Sequence, residues 1–315
     1  MARIFVETWS PEYGAPLDLD ETLAPAEGAV DDSVETSAWA PRDGTDDGVD
    51  RVAFVDGVRR VDARLTVDDP EVGPVPGICG TYAVGAVLWD RLERRSQVAH
   101  EKVERMAVLA GNRPETLPPI PLDPPYRNST TPSLDPSGPV QVLHSAMRTA
   151  EGRLTTELPP GHFVVADGPL NEFSAASAVG YVKSHRVLYL SPERNQTVAQ
   201  LRCGQRTPMF TISGQTAFFR YSWYVRIAEV PGGHSWTGVV RCEASGLHPV
   251  AEAALLADRT AALLPLLASE PHIDARAPQN LVPIAALERA LRHRMGDARL
   301  VERALKAAAA ERRAS

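Results

Sequence analysis

Two short apolar runs each end in Asp-Gly, and they restrict this chain more than any other feature. The first is Val52-Ala-Phe-Val55 followed by Asp56-Gly57; the second is Phe163-Val-Val-Ala166 followed by Asp167-Gly168. Runs of this length, rich in β-branched and aromatic residues, read as buried strands. A carboxylate where such a strand leaves the core is costly unless it meets a cation or accepts hydrogen bonds. Each motif taken singly is also what a simple turn looks like. Together they suggest neighbouring strands that bring two carboxylates to one place.

The rest of the chain can be read around these strands. Val61–Val67 follows Gly57 closely enough to suggest a hairpin, with Gly57 and Val58 in its turn and Arg59 and Arg60 just beyond. Gly80–Trp89 reads as a third strand. Residues 90–110 show helical charge spacing, with Glu101 and Arg105 at i,i+4. Val142, Leu143, Ala146, Met147, Ala150 and Leu154 predict an amphipathic helix over 138–158, stopped by Pro159-Pro160-Gly161. A strand over 178–186, an antiparallel pair over 218–227 and 236–243, and helices over 250–268, 284–295 and from Leu300 onward complete the pattern. Residues 17–50, acidic and aperiodic, read as a loop or arm tied down by Trp9 or Trp39. Residues 113–139, with five prolines between Pro118 and Pro125, read as an extended connector. Helices alternating with strands give an α/β domain with a mixed central sheet flanked by helices, with additional C-terminal strands and helices.

Composition bounds the partners. With 315 residues, 43% of them hydrophobic, the chain can bury a sizeable core. A net charge of −7 excludes a generally basic nucleic-acid coat, though not a local basic groove. Cys79, Cys203 and Cys242 are too scattered for a zinc site or a disulfide framework. The start has no apolar leader core and no run approaches the ~18 apolar residues of a membrane span, so the expected setting is the reducing cytoplasm, away from membranes. P-loop, nucleophile-elbow and dinucleotide fingerprints are absent from the sequence.

Paired carboxylates on neighbouring strands suit two divalent ions roughly 4 Å apart, as in-line phosphoryl displacement needs, and Mn²⁺ or Mg²⁺ fits an all-oxygen site. Such sites take a third carboxylate. Glu151 is the candidate, because it lies on the helix feeding the Asp167 strand, 16 residues upstream. Lys183 could neutralise a scissile phosphate, with Arg186 beside it, or both belong to a solvated strand end. Arg59 and Arg60 are phosphate contacts or an exposed hairpin face. Tyr221, Trp223 and Tyr224 are core or a stacking platform for unpaired bases. His185 and His293 read as surface residues.

At these positions the sequence resembles the NurA family of DNA repair nucleases. The matching pieces are Val55-Asp56-Gly57, Val164–Leu170, Val179–Lys183, Asp274–Ile284 with Ala286-Leu-Glu288 after it, and Glu7–Gly14. The likeness spans nearly the whole chain, residues 1–315, as one domain. It implies an RNase H-like core and Mn²⁺- or Mg²⁺-dependent cleavage of DNA in end resection, with 5′–3′ exonuclease and single-strand endonuclease activity. It also implies a homodimer docked on a hexameric HerA-type ATPase that feeds DNA into it. Asp56 and Asp167 carry over as metal ligands, and Glu151 by its spacing. Better-known members place a histidine in the C-terminal part of the site. Here Arg276-Ala-Pro-Gln279-Asn280 has none, which leaves Gln279, Asn280 or His293 for that role, or the role absent. Two other readings stand beside the nuclease: a non-catalytic subunit that caps or regulates a translocase, and a metal-dependent hydrolase of RNA.

Overall fold

A computed structural model describes residues 3–6, 29–70, 73–185, 187–213 and 219–314. Its strands are β1 (Arg3–Val6), β2 (Ala29–Asp31), β3 (Arg42–Asp43), β4 (Arg51–Asp69), β5 (Gly73–Asp90), β6 (Arg95–Leu109), β7 (Tyr126–Thr130), β8 (Phe163–Asp167), β9 (Val179–Val182), β10 (Gln205–Arg206), β11 (Phe210–Ser213), β12 (Phe219–Arg226) and β13 (Val239–Ser245). The helices are α1 (Gly138–Glu157), α2 (Pro192–Gln200), α3 (Val250–Leu263), α4 (Val282–Arg294) and α5 (Ala298–Ala314). All described strands join one mixed sheet with the path β2-β11-β12-β13-β9-β8-β4-β5-β6-β7. The pairs β4/β8, β8/β9 and β6/β7 are parallel, and the other pairs on that path are antiparallel. The protein is therefore α/β, with a large mixed sheet flanked by helices.

Alternation along β4 sorts its side chains between two cores. Ala53 and Val55 pack with Leu143 and Met147 of α1 on one face, while Val52, Phe54 and Val58 pack with Leu287 and Leu291 of α4 on the other. The predicted amphipathic helix is present as α1, buried along Val140, Leu143, Met147 and Leu154. Each such apolar side chain contributes roughly 1.5–3 kcal/mol on burial. Pro139 fits its first turn, where no intrahelical N–H is needed. Gly161, at φ 85°, makes the turn into β8 in a region that side chains avoid.

Five expectations change. Asp56-Gly57 is not a hairpin turn: β4 runs unbroken through it for 19 residues, and Val61–Val67 belongs to the same strand. Residues 95–109 form a strand and not a helix. Its last residues, 105–109, are buried between β5 and β7, and that non-local pairing overrides the charge spacing. Glu101 pairs with Arg294 of α4, not with Arg105. The proline-rich connector carries β7, which pairs with β6. Of the acidic arm, residues 17–28 lie outside the described residues, as does Trp9. Residues 29–50 add β2 and β3 to the sheet, and Trp39 is tied by its indole N–H to the Asp32 carbonyl at 2.7 Å. Tyr221, Trp223 and Tyr224 are buried core residues, which removes the stacking platform.

A buried polar network fixes α4 to the sheet. The β4–β5 register shifts between Val61 and Ala63, and Asp62 sits at the irregularity. Its Oδ1 accepts from Arg60 Nε at 2.8 Å, and its Oδ2 accepts from Tyr126 Oη at 2.7 Å and from Thr81 Oγ1. Arg105 donates to Thr81 Oγ1 at 2.7 Å and to the Met295 carbonyl at 3.2 Å, while Arg60 donates to the Gly296 carbonyl at 2.9 Å. Two arginines thus satisfy carbonyls at the C-terminal end of α4, where positive charge also complements the helix dipole. Removing Asp62 leaves buried donors without their acceptor. Asp62→Ala is expected to cost about 3–5 kcal/mol in urea unfolding, and Asp62→Asn clearly less. A loss below about 0.5 kcal/mol, the level of an ordinary surface change, would mean the network does not hold the helix.

Candidate metal centre

The site forms where β8 ends and β4 continues. The two strands run parallel with Val55 opposite Ala166, so the next residue on each is an aspartate. Asp56 and Asp167 keep the parity of Phe54 and Val165 and face the α4 side of the sheet. The two strands do bring these carboxylates together. Gly168, at φ 81°, turns the chain away, and its N–H donates to the Tyr181 carbonyl at 2.7 Å. Arg148 of α1 holds this turn from the other face, donating to the Asp167 carbonyl at 2.9 Å and also to the Pro169 carbonyl.

Glu288 of α4 completes the cluster. One carboxylate oxygen from each of Asp56, Asp167 and Glu288 lies within 4.8 Å of the other two. Asp56 and Glu288 are 5% and 4% exposed, so these are carboxylates inside the protein and not a solvated acidic patch. Asp56 Oδ1 accepts from the Gly57 N–H at 2.7 Å, whereas Asp56 Oδ2 and Asp167 Oδ1 are buried with no hydrogen-bond partner. Orphaned buried acceptors within a cluster of carboxylates are a feature that a cation would satisfy.

Cations of the chain meet the other oxygens. Lys183, just past β9, places Nζ 2.7 Å from Asp167 Oδ2, 3.0 Å from Asn280 Oδ1 and 4.0 Å from Glu288 Oε1. Burial opposes the Lys183 charge, but Asp167 and Asp56 outweigh it and hold the ammonium above its ordinary value. Arg276 takes Glu288 in a two-pronged pair, Nη1 to Oε1 at 2.8 Å and Nη2 to Oε2 at 2.7 Å. Burial pushes the Asp56 carboxyl well above the usual range, and the Asp167 charge adds to it; Lys183 offsets only part.

Glu151 is not the third member of this cluster. It approaches from the α1 side, against Gly57, where a side chain would collide with its carboxylate. There it pairs with Arg148 at 2.5 Å. Strand alternation is the reason: Asp56 faces α4, so the residue that faces α1 is Gly57. Arg60 is committed to Asp62 and the end of α4, and Arg59 donates to His144 Nδ1 at 3.3 Å. Arg186 lies outside the described residues. Of the C-terminal candidates, Asn280 reaches Lys183. Gln279 instead offers its backbone carbonyl to Tyr181 Oη, and His293 is exposed on α4. His185 packs against Tyr224 and Trp236, and its Nε2 lies 2.8 Å from the Val239 carbonyl oxygen.

Glu288 and Arg276 were the site residues sequence reasoning missed. A signal for Glu288 was there: Ile284, Leu287 and Leu291 set the buried stripe of α4, and Glu288 falls on it. A carboxylate on an apolar stripe needs a partner. Arg276 lies in an aperiodic loop and carries no comparable mark. No protein-family model matches the chain, and no curated protein matches it.

The raised Asp56 carboxyl links stability to pH. Unfolded, Asp56 ionises near its ordinary value of 3.8, whereas the folded protein keeps the proton to higher pH. The native state then binds more protons, so this group's contribution falls as pH rises from about 4 toward the folded value. Asp56→Asn is expected to raise the melting temperature in EDTA at neutral pH by at least about 2 °C, with the gain vanishing below about pH 4. Melts of both proteins across pH check this, and a variant that melts lower at pH 7 contradicts it.

Proposed function

We propose that this protein is a metal-dependent DNA nuclease whose Asp56, Asp167 and Glu288 carboxylates hold divalent cations, Mn²⁺ or Mg²⁺. The observation that carries the reading is the pair of orphaned buried oxygens, Asp56 Oδ2 and Asp167 Oδ1, in a three-carboxylate cluster. An all-oxygen donor set of this charge fits hard cations. Bound there, divalent ions supply an activated water and stabilise charge on the transferring phosphoryl group. Around them the chain's own residues orient and neutralise: Lys183 stands beside Asp167 as a donor for a phosphate oxygen, and Asn280 holds its ammonium. Arg148 keeps the Asp167 turn in place from behind, with Glu151 holding Arg148.

The choice of DNA as substrate draws on the NurA-like motifs around Asp56, Asp167 and Lys183. With them come an RNase H-like core, 5′–3′ exonuclease and single-strand endonuclease activity, a homodimer, and a HerA-type hexameric ATPase as partner in repair. The net charge of −7 accords with DNA delivered by a partner ring and not captured on a broad basic face. Lys183 and Arg276 favour a second reading, because they already neutralise two of the carboxylates. A cluster so paired could persist in a non-catalytic subunit.

Labelled single- and double-stranded DNA and RNA, incubated with Mn²⁺, Mg²⁺ or EDTA, separate these readings. Wild type is expected to degrade DNA only with metal. Asp56→Ala and Glu288→Gln should each lose at least about 100-fold, and Glu151→Gln much less, since Glu151 acts through Arg148. Metal-dependent cleavage unchanged in Asp56→Ala would exclude this centre. No cleavage with any metal, alone or with the ATPase, would favour the non-catalytic subunit, and preferential loss of RNA would change the substrate.

A further inference from the structure

The loop between Ala268 and Leu281 brings a cation to the one carboxylate of the cluster that lies on a helix. Within it, Asp274 Oδ1 accepts from the Arg276 N–H at 2.7 Å and Asp274 Oδ2 accepts from Asn280 Nδ2 at 2.7 Å. Despite some burial, these donors and the Arg276 charge hold the Asp274 carboxyl down to about 2, so it remains an ionised anchor. The contacts run as a chain: Lys183 to Asn280, Asn280 to Asp274, Asp274 to Arg276, and Arg276 to Glu288.

The cations around the centre differ in freedom. Lys183 and Arg148 have side chains 22% exposed and are packed in place. Arg276 is 50% exposed, yet it grips both oxygens of a buried carboxylate. Arg292 touches the same carboxylate through one nitrogen at 3.4 Å. A two-pronged arginine occupies the carboxylate edge that a cation would otherwise use, and its charge repels a second cation at close range.

Resting on the metal reading above, we infer that Arg276 is a displaceable counter-cation. It neutralises Glu288 until a divalent ion takes that carboxylate, and the released guanidinium then binds a phosphate of the nucleic-acid strand at the mouth of the site. Arg276 thereby makes metal loading and phosphate binding mutually supportive. Metal frees the arginine, and a bound phosphate keeps it from returning to Glu288. It is a binding and positioning residue, and its fork suits phosphate as well as carboxylate.

Mn²⁺ titration by calorimetry, with no substrate present, tests the first half. Arg276→Gln is expected to bind Mn²⁺ about tenfold more tightly than wild type, because a competing charge has gone. Arg276→Lys, which keeps the charge but loses the fork, should bind Mn²⁺ with an affinity between those of wild type and Arg276→Gln. The second half is read from binding of a cleavage-resistant single-stranded phosphorothioate oligonucleotide in Mn²⁺. There Arg276→Gln should weaken affinity and lower the salt-dependence slope by about one. Melting temperatures confirm that each variant is folded. Unchanged or weaker Mn²⁺ binding by folded Arg276→Gln, beside a wild type that binds, overturns the counter-cation role alone. An unaltered salt slope overturns the phosphate role. A wild type that binds no Mn²⁺ overturns the metal reading and this inference with it.

Discussion

Placing Asp56 beside Asp167 on two parallel strands sets a repulsion that the rest of the structure answers. Burial raises the Asp56 pKa, and the Asp167 charge beside it adds to the effect. The fold does not relieve it by exposing either strand. It surrounds the pair with Lys183 and backs the Asp167 turn with Arg148. Two oxygens nevertheless remain without partners. Such an arrangement lowers the stability of the cation-free protein, and a bound cation would relieve it.

Glu288 depends on a different part of the molecule. It rides on α4, and α4 is fixed at its C-terminal end by Arg60 and Arg105, whose own place is set by Asp62, Thr81 and Tyr126. The network lies about two turns of helix from Glu288. Its role is to fix where the third carboxylate stands. This gives Arg60 a structural role at the end of α4.

Apolar runs and an amphipathic stripe carried a large share of the fold. The periodicity of α1, the β8 run and the antiparallel pair β12/β13 could be read because each is a local pattern with a single physical cause. The 90–110 stretch failed because charge spacing is weak evidence beside pairing with β5 and β7, which no local window contains. Asp56-Gly57 failed differently. As a dipeptide it suggests a turn, but here the glycine serves an in-strand approach by Glu151.

By itself the sequence determined that two strands would end or pass at aspartates, that α1 would precede the second, and that Lys183 would follow close behind. Tertiary structure alone decided which third carboxylate joins them. Strand alternation turns Asp56 toward α4 and away from α1, and Glu288 is 121 residues beyond Asp167. Faces of a sheet follow from register, and register follows from strands far apart in the chain. Spacing along the chain therefore nominated Glu151, while the side of the sheet selected Glu288.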